Sequence, residues 1–192
     1  MGYKVTVGIS NKHAHLSDGD LAKLFGAGHK LTVKKELKQP GQFAAEETID
    51  VIGPKGTLKG IRVLGPTRKE SQIELAATDA RVIGLNLPVR ESGVLDGSPG
   101  VKLTGPAGET EIPKGAIIAL RHIHLSKTQA AEAGVQDKDM VSVKTFGTRP
   151  LIFENVLIRA GDAHINEMHV DTDEGNAAGI KNDDEVEILG KK

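Results

Sequence analysis

The sequence predicts a mainly β protein: a tandem pair of duplicated small β-barrels with short capping α-helices. Three observations carry this expectation. Short β-rich runs recur along the chain, separated by "GPKG", "GPT", "GSPG" and "GPAG", the punctuation of strands and tight turns. Helical patterning is confined to a few brief stretches. One phrase occurs twice, as "ISNKHAHLS" and as "ALRHIHLS". In each copy a strand runs into H-x-H, then Leu, then a Ser placed to open a helix.

In chain order, the first strand is expected over residues 3–9. A helix follows in "SDGDLAKLFG" (17–26), with Ser17 or Asp18 as its cap and glycine at its end. Strands are expected at 30–37, 47–53, 60–66, 71–77 and 80–86. Residues 89–114 are rich in Gly and Pro and read as a connection between a first repeat, 1–88, and a second, 115–192, although 100–106 keeps a strand pattern. The second repeat opens on the strand "GAIIALRHIHL" (115–125). The helix "SKTQAAEAG" (126–134) follows, capped by Ser126, with Gly134 beyond its end. Further strands are expected at 139–146, 151–159, 165–171 and 184–189, with a turn of helix at 172–179. A second echo supports duplication. "GIRVLGPTR" and "NVLIRAGDAH" both run into glycine-containing turns, and "QIELAATD" and "NEMHVDTD" both close on Thr-Asp.

Composition narrows the functions. Net charge is −1, so no whole-molecule field draws nucleic acid or an anionic membrane. Aromatic residues are 3% with no Trp, which removes stacking platforms for bases and leaves Val, Ile, Leu and Ala to build the core. Cys is absent, excluding disulfides, thiolate catalysis and Cys-type zinc sites. No apolar run is long enough to span a membrane. Neither a P-loop nor a G-x-G-x-x-G fingerprint is present, so ATP or NAD binding has no support.

The chemistry lies in the repeated phrase. Residues i and i+2 of a strand share a face, so His13 and His15 can offer two imidazoles to one ion, and so can His122 and His124. The alternative is that each pair decorates the wet face of an edge strand. Glu74 and His169 occupy corresponding places in the two halves, each just ahead of Thr-Asp. With them, two zinc ions could have three protein ligands each and open positions, the pattern of a catalytic site. Otherwise Glu74 is a cross-strand ion-pair partner and His169 a surface or capping histidine. His29 and His164 fit no pattern and read as solvent histidines. Arg68 and Arg90 are guanidinium candidates for a bidentate grip on phosphate or carboxylate, or else ordinary surface arginines. The "RESG" and "GSPG" stretches carry backbone N–H groups of the kind that cradle oxyanions.

The phrases "ISNKHAHLS", "GPTRKESQIELAATDA", "LPVRESGVLDGSPGV", "RHIHLS" and "EMHVDTDEGNA" together resemble the phosphate propanoyltransferases, the PduL-type phosphotransacylases, over nearly the whole chain. The resemblance implies tandem small β-barrels with two zinc ions between them. It implies exchange of the acyl group of acyl-CoA with inorganic phosphate, giving acyl phosphate and free coenzyme A. Carried over by position, it implies that His13, His15 and Glu74 hold one zinc. His122, His124 and His169 hold the other, with Glu74 close enough to be shared. Arg68 becomes the phosphate-binding arginine, with the turn around Ser92. Coenzyme A contacts fall on Ser10, Lys35, Arg62, Leu64 and Asn176. Acetyl- and propanoyl-CoA are both admissible substrates, and a homo-oligomer such as a dimer is expected. Many microcompartment members begin with an amphipathic extension. Here the strand pattern starts near residue 3, so a cytoplasmic location is expected, with encapsulation as the alternative. Rival readings are a bicupin-like oxygenase, isomerase or small-ligand module, a metallo-hydrolase, and a non-catalytic metal-binding module.

Overall fold

β1 (Tyr3–Ser10) opens the chain, yet every strand it pairs with comes from the far end of the sequence. In the computed structural model, which describes residues 2–191, the chain up to Asn11 joins everything from Leu120 onward in one unit, and Lys12–Ala119 form another. This division differs from the sequence expectation. Val5 and Val7 of β1 complete a core whose other members lie beyond residue 120, so hydrophobic burial assigns the first strand to the last unit.

The Lys12–Ala119 unit contains β2 (His13–His15), α1 (Asp18–Phe25), β3 (Val33–Glu36), β4 (Phe43–Gly53), β5 (Gly56–Gly65) and β6 (Gln72–Glu74). It continues with α2 (Ala77–Val82), β7 (Val89–Arg90), β8 (Val101–Gly105), β9 (Gly108–Ile112) and β10 (Ala116–Ala119). These strands form a nine-stranded sheet in the order β7-β10-β6-β2-β5-β4-β8-β9, with β3 added beside β4. Leu16, Leu24, Ile49, Ile61, Val63, Ile73 and Leu103 fill its core. The "GPKG" signal makes the two-residue turn between β4 and β5, where Gly53 faces Gly56.

The other unit contains β1, β11 (His122–Leu125), α3 (Lys127–Glu132), β12 (Met140–Lys144), β13 (Ile152–Ala160), β14 (Glu167–Asp171), α4 (Thr172–Ala178) and β15 (Glu185–Lys191). Its strands close into a six-stranded barrel, β1-β14-β11-β13-β12-β15. Val5, Ile123, Leu125, Val141, Ile158, Met168 and Val186 line the interior, an aliphatic filling suited to a chain poor in aromatics.

The mainly β reading therefore holds, with one barrel closed and the other sheet open. Duplication extends to the pairing. β2 lies parallel to β5 and antiparallel to β6, and β11 lies parallel to β13 and antiparallel to β14. Three local expectations change. The stretch 80–86 is not a strand, because α2 and a turn occupy it. Besides the expected strand at 100–106, now β8, the 89–114 connection contributes β7 and β9. The run 115–125 is two strands, with the chain passing from one unit to the other between Ala119 and Leu120. No helix among the described residues is long and apolar enough to cross a membrane.

Asp20 fastens α1 to its unit. One carboxylate oxygen accepts from Ser71 Oγ (2.7 Å) and Ser17 Oγ (2.9 Å), and the other from Thr110 Oγ1 (3.1 Å) and Lys23 Nζ (3.2 Å). Burial tends to raise this carboxyl, but the hydrogen bonds from Ser71, Ser17, Lys23 and Thr110 outweigh it and hold its pKa below the usual value. A depressed folded-state pKa adds stability that is present above the unfolded-state value near 4 and is lost as pH falls through the lower folded value. Asp20→Asn should therefore cost about 1–2 kcal/mol at pH 7, with the deficit shrinking below about pH 4. Urea unfolding of both proteins at pH 7 and pH 3 checks this; a pH-independent difference would refute it.

Candidate active site

Strand alternation sorts the residues of β2 and β11. Ala14 belongs to the sheet core, so His13 and His15 project from the opposite face. Ile123 and Leu125 fill the barrel, so His122 and His124 project away from it. All four histidines are buried. The antiparallel neighbour supplies a third group in each unit. His13 lies opposite Glu74, and His122 lies opposite His169.

In both units the third group converges on the pair. Glu74 Oε2 is 3.4 Å from His13 Nε2, and Oε1 is 3.7 Å from His15 Nε2. His122 Nε2 and His124 Nε2 are 3.1 Å apart. The His169 ring centre lies 5.1 Å from that of His122 and 4.9 Å from that of His124. Two ligand atoms held about 2.0–2.1 Å from one tetrahedral ion lie roughly 3.3 Å apart. Each group therefore has the ligand spacing of a zinc-type ion, and within each the donor atoms lie within 4.8 Å of one another.

Local structure explains the convergence. Each of the four strands runs into a helix whose N-cap follows the last candidate ligand by two residues: Ser17 after His15, Ala76 after Glu74, Ser126 after His124, and Asp171 after His169. Ser17, Ser126 and Asp171 each accept a backbone N–H of the following helix through their side chains. The chain thus turns immediately past the candidate ligands, holding them at strand ends.

Electrostatics favours the ligating protonation states. Burial pushes the His15 imidazole down to about 3, with His13 and Arg68 adding to the effect. Burial pushes His124 down to about 2, helped by His122, His169, Arg159 and His164. Neutral imidazole is the form that binds metal. Burial works to raise the Glu74 carboxyl, but His13, His15 and the Ser92 hydroxyl outweigh it and hold it well below the usual range. The His122 Nδ1 is 2.8 Å from the Leu120 carbonyl, which as acceptor directs the lone pair to Nε2. His15 Nδ1 and His124 Nδ1 are buried without a hydrogen-bond partner; the Leu64 backbone approaches the His15 ring without closing a bond to that atom. The nitrogens that converge in each group are instead Nε2, of His13 and His15 beside Glu74 and of His122 beside His124, and these donor sets fit a metal.

Arg68 reaches Glu74 through one hydroxyl. Its Nη1 donates to Ser92 Oγ (3.2 Å), and that hydroxyl donates to Glu74 Oε1 (2.9 Å). The Arg68 backbone N–H donates to the Leu16 carbonyl (2.9 Å), tying the "GPTR" turn to the end of β2. Gly65 opens the turn against the Phe43 ring, which occupies the space a Cβ would take. Arg90 does not join this network; its Nη1 donates to the Val89 carbonyl. Nor are the "RESG" and "GSPG" N–H groups open for an anion throughout: Gly93 donates to Gln72 Oε1 and Ser98 to the Leu95 carbonyl.

The residues expected to touch coenzyme A separate by unit. Lys35 on β3 and Leu64 on β5 both pair with Ala44 of β4, forming one row across three strands. Arg62, on the same face of β5 as Leu64, donates to the Ala45 and Glu46 carbonyls. Ser10 ends β1 opposite Asp171, and Asn176 is exposed on α4, which packs on β1.

Three site residues escaped the sequence reading. Gln72 donates to Glu74 Oε1 (2.5 Å) and to Ser92 Oγ (2.9 Å). Glu167 Oε2 is 2.7 Å from His169 Nε2. Their signal was the same i, i+2 rule, in "QIE" and "EMH". His164 is not a solvent histidine, since its ring centre lies 4.7 Å from that of His124 and its Nδ1 is 2.7 Å from the Arg159 carbonyl. His29 is exposed, as expected, with its ring stacked on Phe25 and 2.9 Å from Glu47 Oε1.

The family model for phosphate propanoyltransferase matches residues 6–181. A phosphate propanoyltransferase of Thermotoga maritima is 52% identical over 96% of this chain and 89% of its own length. One of Salmonella typhimurium is 51% identical over 93% and 85%, and one of Rhodopseudomonas palustris 47% identical over 98% and 84%.

Proposed function

The chain belongs to the phosphate propanoyltransferase family, and from that premise we propose that it exchanges the acyl group of a short-chain acyl-CoA, propanoyl or acetyl, with inorganic phosphate, using two zinc ions, one held by each unit. One observation carries the zinc reading: the same strand, helix and pairing arrangement builds two separate three-ligand groups, each with metal spacing. The bicupin alternative needs its glutamate shortly after H-x-H on the same structural unit. Here α1 and α3 follow H-x-H instead, and the third ligands come from β6 and β14.

In the reaction a phosphate oxygen attacks the thioester carbonyl carbon. The C–O bond forms as the C–S bond breaks, and the phosphate proton ends on the coenzyme A thiol. His13, His15 and Glu74 would hold one zinc, and His122, His124 and His169 the other. When bound, zinc supplies Lewis acidity to a thioester carbonyl or a departing thiolate. Arg68 binds the phosphate through its guanidinium fork, and Ser92 fixes the fork in place through the hydrogen bond to Nη1. Lys35, Arg62, Leu64, Ser10 and Asn176 contact coenzyme A. Holding both reactants in line removes several kcal/mol of barrier with no covalent acyl-enzyme, which suits a chain without cysteine.

Protein purified without a polyhistidine tag should contain about two zinc ions per chain by elemental analysis. It should release thiol from propanoyl-CoA only when phosphate is present. Dialysis against a chelator should abolish the release and added zinc restore it. Full activity of metal-free protein would overturn the metal reading, and thiol release without phosphate would overturn the transferase reading.

A further inference from the structure

Glu167 is a buried carboxylate on β14, two residues before His169 and on the same face. It pairs in register with His124, and its Oε2 is 2.7 Å from His169 Nε2. Space for it is made by Gly8 of β1, which lies opposite His169. A Cβ at Gly8 would stand 2.9 Å from both Cδ and Oε1 of Glu167 and 3.1 Å from His169 Cδ2. In the other unit the corresponding position, opposite His15, is Gln72. There the neutral amide stands behind a carboxylate ligand, Glu74. Here the carboxylate stands behind an imidazole. Each three-ligand group thus has one carboxylate, in direct contact in one unit and one residue removed in the other.

We propose that Glu167 is a positioning residue of the His122–His124–His169 site, accepting the Nε2–H of His169 so that Nδ1 is the nitrogen turned to the metal. The assignment rests on the zinc reading above. A carboxylate behind a ligating imidazole fixes its tautomer and ring orientation and raises its basicity, and losing such a partner typically costs about 10- to 100-fold in metal affinity. The other unit needs no such device, because Glu74 brings its charge directly to the ligand set.

The test is zinc affinity by competition with a chromophoric chelator, together with long-range proton–nitrogen correlation spectra of the histidine rings. Glu167→Ala should weaken one of the two sites about 10- to 100-fold and leave the other at the wild-type value. Glu167→Gln keeps an acceptor for Nε2–H but drops the charge, and should fall between wild type and alanine. Gly8→Ala crowds the carboxylate without removing it and should shift the same site in the same direction. In zinc-loaded wild type, His169 should carry its proton on Nε2. Wild type that binds two ions beside a Glu167→Ala protein with both affinities unchanged, or a His169 proton on Nδ1, would overturn this assignment alone. Wild type that takes up no zinc would overturn the proposed function and this assignment with it.

Discussion

Substituting His13 by alanine is expected to remove one zinc ion and about a thousandfold or more of turnover, while the fold survives. His13 is one of three groups converging in its unit, with Glu74 Oε2 at 3.4 Å. Two remaining ligands from the protein do not retain an ion that three hold in open coordination. Loss of the Lewis acid removes several kcal/mol of transition-state stabilisation, and each 1.36 kcal/mol is tenfold in rate. The fold should tolerate the change, because His13 projects away from the Leu16–Ile73–Leu103 core. His122→Ala should behave the same way at the barrel site, whose interior side chains Ile123 and Leu125 are untouched. Zinc content, kcat and thermal unfolding measured on each variant decide the matter. Two zinc ions and near-normal kcat in His13→Ala would remove it from the ligand set.

The parts of this site that could be read from the sequence are those carried by period and by caps. H-x-H on a strand announces a shared face, and Ser17 and Ser126 announce the helices that follow. α4 was visible only as a turn of helix at 172–179; it ends at Gly179, which adopts a left-handed φ of 64°. α2 was not, because its N-cap is Ala76, which has no side-chain acceptor, and because "ARVIGLN" is apolar enough to pass for a strand. The assignment of β1 to the last unit was also invisible. It depends on pairing across the chain, Val5 with Val186 and Val7 with Met168, which no local pattern encodes. Glu167 and Gln72 were legible in principle, since they stand two residues before Glu and His ligands on the same face. His164 was not, because an irregular connection between β13 and β14 carries it to His124.

Arg68→Ala is expected to lower kcat about 30- to 1000-fold while leaving both zinc ions in place. The estimate is that of a charge-assisted contact tightening in the transition state, about 2–4 kcal/mol. Arg68 belongs to neither three-ligand group. It touches the candidate ligand Glu74 one step away, through Ser92 Oγ to Glu74 Oε1, so its loss should spare the three-residue groups. Its backbone is held independently, by the N–H bond to Leu16 and the bridge to Ser17, so the turn should keep its path when the side chain is cut. Lysine should not rescue it. An ammonium offers a point charge where the guanidinium offers a planar fork, and one arm of that fork already lies on Ser92. Arg68→Lys should therefore raise the phosphate KM and lower kcat together, with acyl-CoA KM nearly unchanged. Steady-state kinetics with each substrate varied in turn, alongside zinc analysis, separates the outcomes. Near-normal kcat and phosphate KM in Arg68→Ala with full zinc would make it a surface arginine. Arg90, placed on β7 with its guanidinium on the Val89 carbonyl, would then be the next side chain to replace.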